Sequence, residues 1–165
     1  MAAVHNLSRA GAMDYLFVLL IGLAMFLLAQ TIQAFSVSAL IGFLSRRFKL
    51  KQRLQEEERL FGGFIVLSIT LFFLLANSLL QVGLWAAVFV LVGQFEQYSE
   101  AFYHSAVNFA TLGYGDVVME PPWRMLGALE AISGILMLGL STATLSTVFS
   151  KLLLLRSTKR RLPKG

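Results

Sequence analysis

Two long runs without a single charged residue constrain this chain more than any other feature. Residues 15–45 give 31 positions in a row, and residues 60–95 give 36, with no Asp, Glu, Lys or Arg. A membrane-spanning helix needs only ~20 apolar residues, so each run serves for one span with some tilt or overhang. Neither run is broken at its centre. A third apolar segment, residues 125–155, carries one acid, Glu130, before it reaches Lys151. Charged residues make up 14% of the whole chain, against about 25% in ordinary soluble domains, which sets the soluble classes aside. The expected fold is therefore an all-α membrane protein with transmembrane helices at roughly 14–44, 60–94 and 124–155. The first run far exceeds the ~7–15 residue core of a signal peptide, and Asp14 rather than a basic cluster precedes it, so a retained span is expected.

The basic residues set the orientation. Arg46, Arg47, Lys49, Lys51, Arg53 and Arg59 occupy the first connection. Lys151, Arg156, Lys159, Arg160, Arg161 and Lys164 occupy the C-terminal end, which leaves only Arg9 and Arg124 of the 14 Lys and Arg elsewhere. Three spans put both clusters on one side, and that side is expected to be cytoplasmic. The N-terminus and the 96–124 segment then face outward from the cell (plasma or inner) membrane. The net charge of +5 is accounted for by topology and anionic lipid, so no nucleic-acid partner is called for. The chain has no cysteine, hence no disulfide, thiol nucleophile or thiolate metal site. Two histidines, His5 and His104, are too few for an imidazole cluster. No Walker, Rossmann or nucleophile motif occurs, so an enzyme is not expected.

The segment between the second and third spans breaks the apolar pattern. It covers about 29 residues, 96–124, and holds one moderately apolar stretch, EAFYHSAVNFA, at 100–110. Eleven residues make a helix of about 16 Å, too short to cross. A short helix followed by the glycine-containing LGYGD is the pattern of a re-entrant loop. Such backbone is tolerated at membrane depth only where protein or a water-filled path surrounds it. A tight turn outside the membrane is the plain alternative, since glycine supplies positive φ and Asp is common in turns. That alternative gives no role to the short helix or to Thr111. The pathway reading uses every position. Stripping water from a cation takes a stack of carbonyl oxygens turned toward one axis. Such a stack requires alternating backbone handedness, which glycines at alternate positions permit. Thr111 can add its hydroxyl, while Leu112 and Tyr114 are expected to point away and brace the backbone from behind.

These residues carry a resemblance. TLGYGD at 111–116 resembles the selectivity filter of the potassium channel superfamily, whose usual form is T-V-G-Y-G-D. The resemblance implies K⁺ bound at Thr111, Leu112, Gly113 and Tyr114, with Gly115 completing the filter and Asp116 at its mouth. It implies a fourfold-symmetric homotetramer in the lipid bilayer, because one filter per chain supplies a quarter of a closed carbonyl ring. It implies no cofactor beyond the permeant K⁺. The stretch SGILMLGLSTATLSTVF at 133–149 resembles the inner helix of simple two-helix potassium channels, with Gly134 where those carry a hinge glycine. The likeness covers about residues 60–155, and the additional first helix resembles that of small bacterial three-helix ion channels. The implied organisation is an extra helix and basic loop at 1–59, a pore domain at 60–155, and a short basic tail at 156–165. Three departures bear on filter stability more than on K⁺ preference. Leu112 replaces the commoner valine, Tyr103 and His104 stand where many channels place tryptophans, and Val107 occupies a position that is acidic in some simple bacterial channels.

Other polar residues are read both ways. Glu130 is the one charge inside a span, where an acid costs about 2.5–3.5 kcal/mol on insertion scales. It is expected to accept hydrogen bonds behind the pore helix, with a titrating gate element and direct cation attraction as alternatives. His104 is a packing residue of the pore helix or, because imidazole titrates near neutrality, a pH sensor. Thr142 and Ser146 share a helix face and, with Ile135 and Leu138, are expected to line a cavity that Phe149 could close by dewetting. The polar stretch QTIQAFSVS at 30–38 packs on another helix or subunit, or lines a substrate path. No helix repeats Arg or Lys at every third position, so no voltage sensor is expected. The leading reading is a potassium-selective channel. The alternatives are a non-selective cation channel and a non-conducting or transport-associated pore-like subunit.

Overall fold

A computed structural model describes residues 13–46 and 63–154 with their side chains, and the backbone alone of 2–12, 47–53, 59–62 and 155–160. Four helices run in order, α1 (Ala2–Arg53), α2 (Arg59–Leu91), α3 (Tyr98–Phe109) and α4 (Arg124–Arg160), and no strand occurs among the described residues. Three of the helices contain stretches long and apolar enough to cross a membrane, Met13–Arg46, Gly63–Leu91 and Arg124–Leu154. The protein is therefore an all-α, multi-pass membrane protein with one further, short helix.

The helix ends differ from the sequence expectation in a consistent way. Residues 45–53, expected as loop, continue α1, and α4 runs to Arg160. Lysine and arginine are good helix formers, so a helix that becomes charged has no reason to stop. The basic side chains at 47–59 and 156–164, on which the orientation rests, lie outside the described residues. In contrast, α2 stops at Leu91, three residues earlier than expected. Gly93, at φ 75°, lets its own N–H bond Val90 O (2.9 Å) and that of Gln94 bond Phe89 O (3.0 Å). This paired closure through a left-handed residue satisfies the last carbonyls of the helix.

The chain forms two compact units. One comprises Met1–Ile32 and Ser78–Met137. Its core holds Trp85, Phe89, Leu126 and Ala101, all fully buried, with Val18 of α1 and Met119. The N-terminal end of α3 is fastened to α2 where Tyr98 Oη donates to the Gly83 carbonyl at 3.1 Å. In the same unit α1 is joined to α2 by Gln81 Nε2 donating to Ala29 O (3.1 Å) and to α4 by Gln30 Nε2 on Ser133 Oγ (3.4 Å).

The other unit comprises Gln33–Asn77 and Leu138–Gly165. Leu40, Leu44 and Val148 form its apolar centre, with Val66, Leu67, Phe73 and Leu152 packed around them. Gln33 is buried there; it accepts from Asn77 Nδ2 and donates to Ser141 Oγ (3.3 Å). Gln30 and Gln33 thus make the polar stretch of α1 a helix-packing surface. In hydrocarbon a side-chain amide without a partner is costly, which favours these interhelical pairs.

Gln33→Leu should therefore lower the thermal unfolding midpoint of the detergent-solubilised protein, by the equivalent of about 0.6–2 kcal/mol. Adding Asn77→Leu should restore part of that loss, because no orphaned amide then remains. If the double variant is destabilised by the full sum of the singles, Gln33 and Asn77 do not act as a pair.

Candidate functional site

The site begins with the way α3 starts and stops. Gln97 precedes it in extended conformation (ψ 131°), and Glu100 lies in its first turn, where an acid complements the positive end of the helix dipole. At 12 residues the helix is about 18 Å long, too short to cross a bilayer. It ends in the same closure that ends α2. Thr111 N–H bonds Asn108 O at 2.8 Å, Leu112 N–H bonds Val107 O at 2.9 Å, and the left-handed residue between helix and loop is Thr111, at φ 58°. Glycine is the usual occupant of that position, and positive φ is uncommon for a β-branched side chain.

The loop continues the pattern. Gly113 lies at φ 58° and Gly115 at φ 75°, while Leu112 and Tyr114 keep negative φ. The sign alternates over five successive residues, 111–115, which is the backbone condition for turning successive carbonyls to one side. A Cβ at Gly113 or Gly115 would meet nothing within 4 Å, so conformation rather than space reserves both positions for glycine. The sequence pointed to the two glycines. It did not point to the left-handed threonine, although counting back two residues from Gly113 reaches it. Leu112 and Tyr114, expected to brace the backbone from behind, are 55% and 65% exposed in the single chain.

The bracing within the chain comes from α3. Tyr103 Oη donates to Asp116 Oδ2 at 2.7 Å, and Asp116 Oδ1 accepts from Val117 N at 3.0 Å. The tyrosine hydrogen bond is the main cause that holds the Asp116 carboxyl below its usual range, and the same bond raises the Tyr103 phenol. One residue on, His104 Nδ1 lies 2.9 Å from Val117 O, and its Nε2 lies 2.9 Å from Asn108 Nδ2. A carbonyl can only accept and an amide nitrogen only donates, so these partners select a neutral imidazole protonated on Nδ1. Burial pushes His104 below its ordinary value of 6.5, outweighing the Val117 carbonyl and the Asp116 charge, which act in the other direction. Tyr103 and His104 both hold the segment just beyond the loop.

Behind α3 stands α4, with Gly127, Glu130 and Gly134 on the face that meets it. A Cβ on Gly134 would overlap the Phe109 carbonyl, and one on Gly127 would come 2.9 Å from Asn108 Nδ2. Small residues let two helices approach this closely in a membrane. Gly134 lies within an uninterrupted helix, close against the Phe109 carbonyl. Between the two glycines Glu130 is fully buried and bonded to Ser105 Oγ, which donates to Val82 O of α2 at 2.8 Å. The Asn108 side chain also stands beside the Glu130 carboxyl, whose Oε2 has no hydrogen-bond partner. An open cleft of about 280 Å³ separates the loop from α4, lined by His104, Asn108, Gly113, Gly115, Asp116 and Arg124 among others.

Ile135, Leu138, Thr142 and Ser146 are all exposed on α4, as is Phe149. The Thr142 hydroxyl, expected to face water, donates to Leu138 O of its own helix at 2.9 Å. Among the described residues no group of three or more His, Cys, Asp or Glu is placed to hold a metal ion.

Residues 77–151 match a protein-family model described as ion channel. That segment is similar to ion channels. The match takes in residues 77–91 of α2, all of α3, the loop and α4 as far as Lys151, and leaves α1 outside it. No curated protein and no solved structure matches the chain.

The close approach at Gly134 gives a direct test. Gly134→Ala should destabilise the protein by about 1–3 kcal/mol, the usual effect of forcing a methyl into a filled contact. Gly139→Ala, where a Cβ meets nothing within 4 Å, should be neutral or stabilising. Equal unfolding midpoints for the two variants would show that Gly134 has no packing role.

Proposed function

We propose that the chain is a potassium-selective channel, four copies of which surround one axis in the membrane. The observation that carries this reading is the alternation of φ sign from Thr111 to Gly115. Four such loops, each contributing a quarter, would ring the axis with the carbonyls of Thr111, Leu112, Gly113 and Tyr114. Those rings replace the hydration shell of K⁺, and the Thr111 hydroxyl adds a further one. Gly115 completes the loop, and Asp116 supplies negative charge at the mouth. The C-terminal end of α3 abuts the loop, and the negative end of its dipole favours a cation there. In the assembly, neighbouring copies would cover Leu112 and Tyr114.

Ile135, Leu138, Thr142 and Ser146 would line the water-filled path, which Phe149 could narrow. The basic segments would lie on the cytoplasmic side, leaving the N-terminus and residues 96–124 outside. Passage is by diffusion and calls for no cofactor. Similarity of residues 77–151 to ion channels supports the channel reading, while K⁺ preference rests on the loop itself.

Purified protein in liposomes with opposed K⁺ and Na⁺ gradients should pass K⁺ and exclude Na⁺. Equal fluxes would favour a non-selective cation channel, and absence of flux a non-conducting subunit. Gly113→Ala isolates the filter. Within a single chain the new methyl meets nothing, so its effect there is the cost of a left-handed alanine, about 1–2 kcal/mol. Loss of selectivity or conduction with an intact tetramer is expected, and Tyr114→Val should act the same way. Normal K⁺ selectivity in Gly113→Ala would show that the loop is not the filter.

A further inference from the structure

His104 is enclosed by groups that have little in common except their effect on it. On α3, Asn108 presents its amide to Nε2, and from the far side of the loop Val117 presents its carbonyl to Nδ1. Phe89 of α2 and Phe95 set their rings 5.5 Å and 5.2 Å from the imidazole. The described charged groups that reach this region are few. Asp116 lies after the filter loop, and Arg124, at the start of α4, lines the same cleft while its Nε donates to Met119 O at 2.8 Å. Glu130, also on α4, stands beside Asn108, which lies between it and the imidazole. The described part of α2, residues 63–91, and that of α1 between Asp14 and Arg46 carry no charge.

Asn108 therefore stands between the imidazole and α4, its Nδ2 bonded to His104 and close against Gly127, its side chain beside Glu130. One end of this polar train is Glu130, held by Ser105 against the backbone of α2. The other is the Val117 carbonyl, two residues beyond the last filter glycine. We propose that Glu130, Asn108 and His104 act together as positioning residues that tie the mouth-side end of the filter to α4, and that the tie holds only while His104 is neutral. The sign comes from donor and acceptor chemistry. A proton on Nε2 turns an acceptor into a donor that faces another donor, the Asn108 amide. External acid then loosens the Val117 segment, Asp116 with it, and conduction falls. Because the folded protein resists that proton more than an unfolded chain does, the stabilisation is complete above the ordinary imidazole range. It is lost as the pH falls below about 6.5.

The proposal rests on the channel reading for its consequence but not for its geometry, and the two are tested separately. In a His5→Gln background, His104 is the remaining imidazole of the chain, which has two histidines. Nitrogen NMR of the purified protein should show a neutral, Nδ1-protonated ring that titrates below the ordinary value. Asn108→Ala, by removing the opposed donor, should raise that titration point. A ring protonated on Nε2, or a titration point indifferent to Asn108→Ala, would overturn the train whether or not the protein conducts.

In liposomes, K⁺ flux should fall about fivefold between roughly pH 7.5 and pH 5, the shift that loss of one hydrogen bond carries. His104→Asn keeps a donor for Val117 without a titrating group, and its remaining flux should vary less than about twofold over that range. An acid response in His104→Asn equal to that of the unaltered protein would assign the effect to another group and overturn the switch. Glu130→Gln guards against a folding defect in the other variants. It should change open probability in single-channel recordings and leave the K⁺/Na⁺ ratio unchanged. A change in the ratio alone would remove Glu130 from the train.

Discussion

A short helix that ends inside a membrane protein leaves carbonyls and amides that water cannot reach, and they must find partners within the chain. In α3 the solution is a left-handed residue at Thr111, which lets the next N–H groups turn back onto Asn108 and Val107. That one closure fixes the phase of the loop. Once Thr111 is left-handed, an alternating backbone places the next such residues at 113 and 115, where the sequence supplies glycine. The loop geometry is in this sense an extension of a helix cap. A threonine at positive φ is a strained choice, held here by the helix closure on Asn108 and Val107.

The cap works only if α3 is held still, and the holding is done by close approach and by polar contacts. Gly127 and Gly134 bring α4 against the C-terminal end of α3, so that the Phe109 carbonyl lies on a helix surface. Glu130 between them is bonded to α3 rather than turned to a path. On the opposite flank Tyr103 and His104 reach across to Asp116 and Val117. Phe89 and Phe95 of the apolar core lie against the His104 ring, which makes its hydrogen bonds stronger and an unpaired group there more costly.

Much of this was legible in the sequence, and the limits have physical causes. Charge-free runs reveal spans because the bilayer penalises every charge, and a stretch of some ten residues bounded by acid and glycine reveals a helix too short to cross. Gly113 and Gly115 were legible because alternate positions needed positive φ. Thr111 was not, since its own side chain argues against the conformation that the helix end imposes. The close approach of Gly134 to Phe109, 25 residues earlier on α3, lies beyond any pattern along its own helix. The partners of Tyr103 and His104 are 13 residues away across the loop, beyond any local pattern. Helix ends at the charged segments were misjudged because hydropathy locates the bilayer and says nothing of where hydrogen bonding stops.

The central claim is that residues 111–115 of four chains form successive carbonyl rings around one axis. Crystals of the purified protein grown with Rb⁺ or Tl⁺ in place of K⁺ test it at the atoms concerned. Anomalous difference maps should show a row of peaks on a fourfold axis, level with the carbonyls of Thr111, Leu112, Gly113 and Tyr114. An axis with no peaks beside this loop, or copies whose 111–115 segments do not face one another, would contradict it.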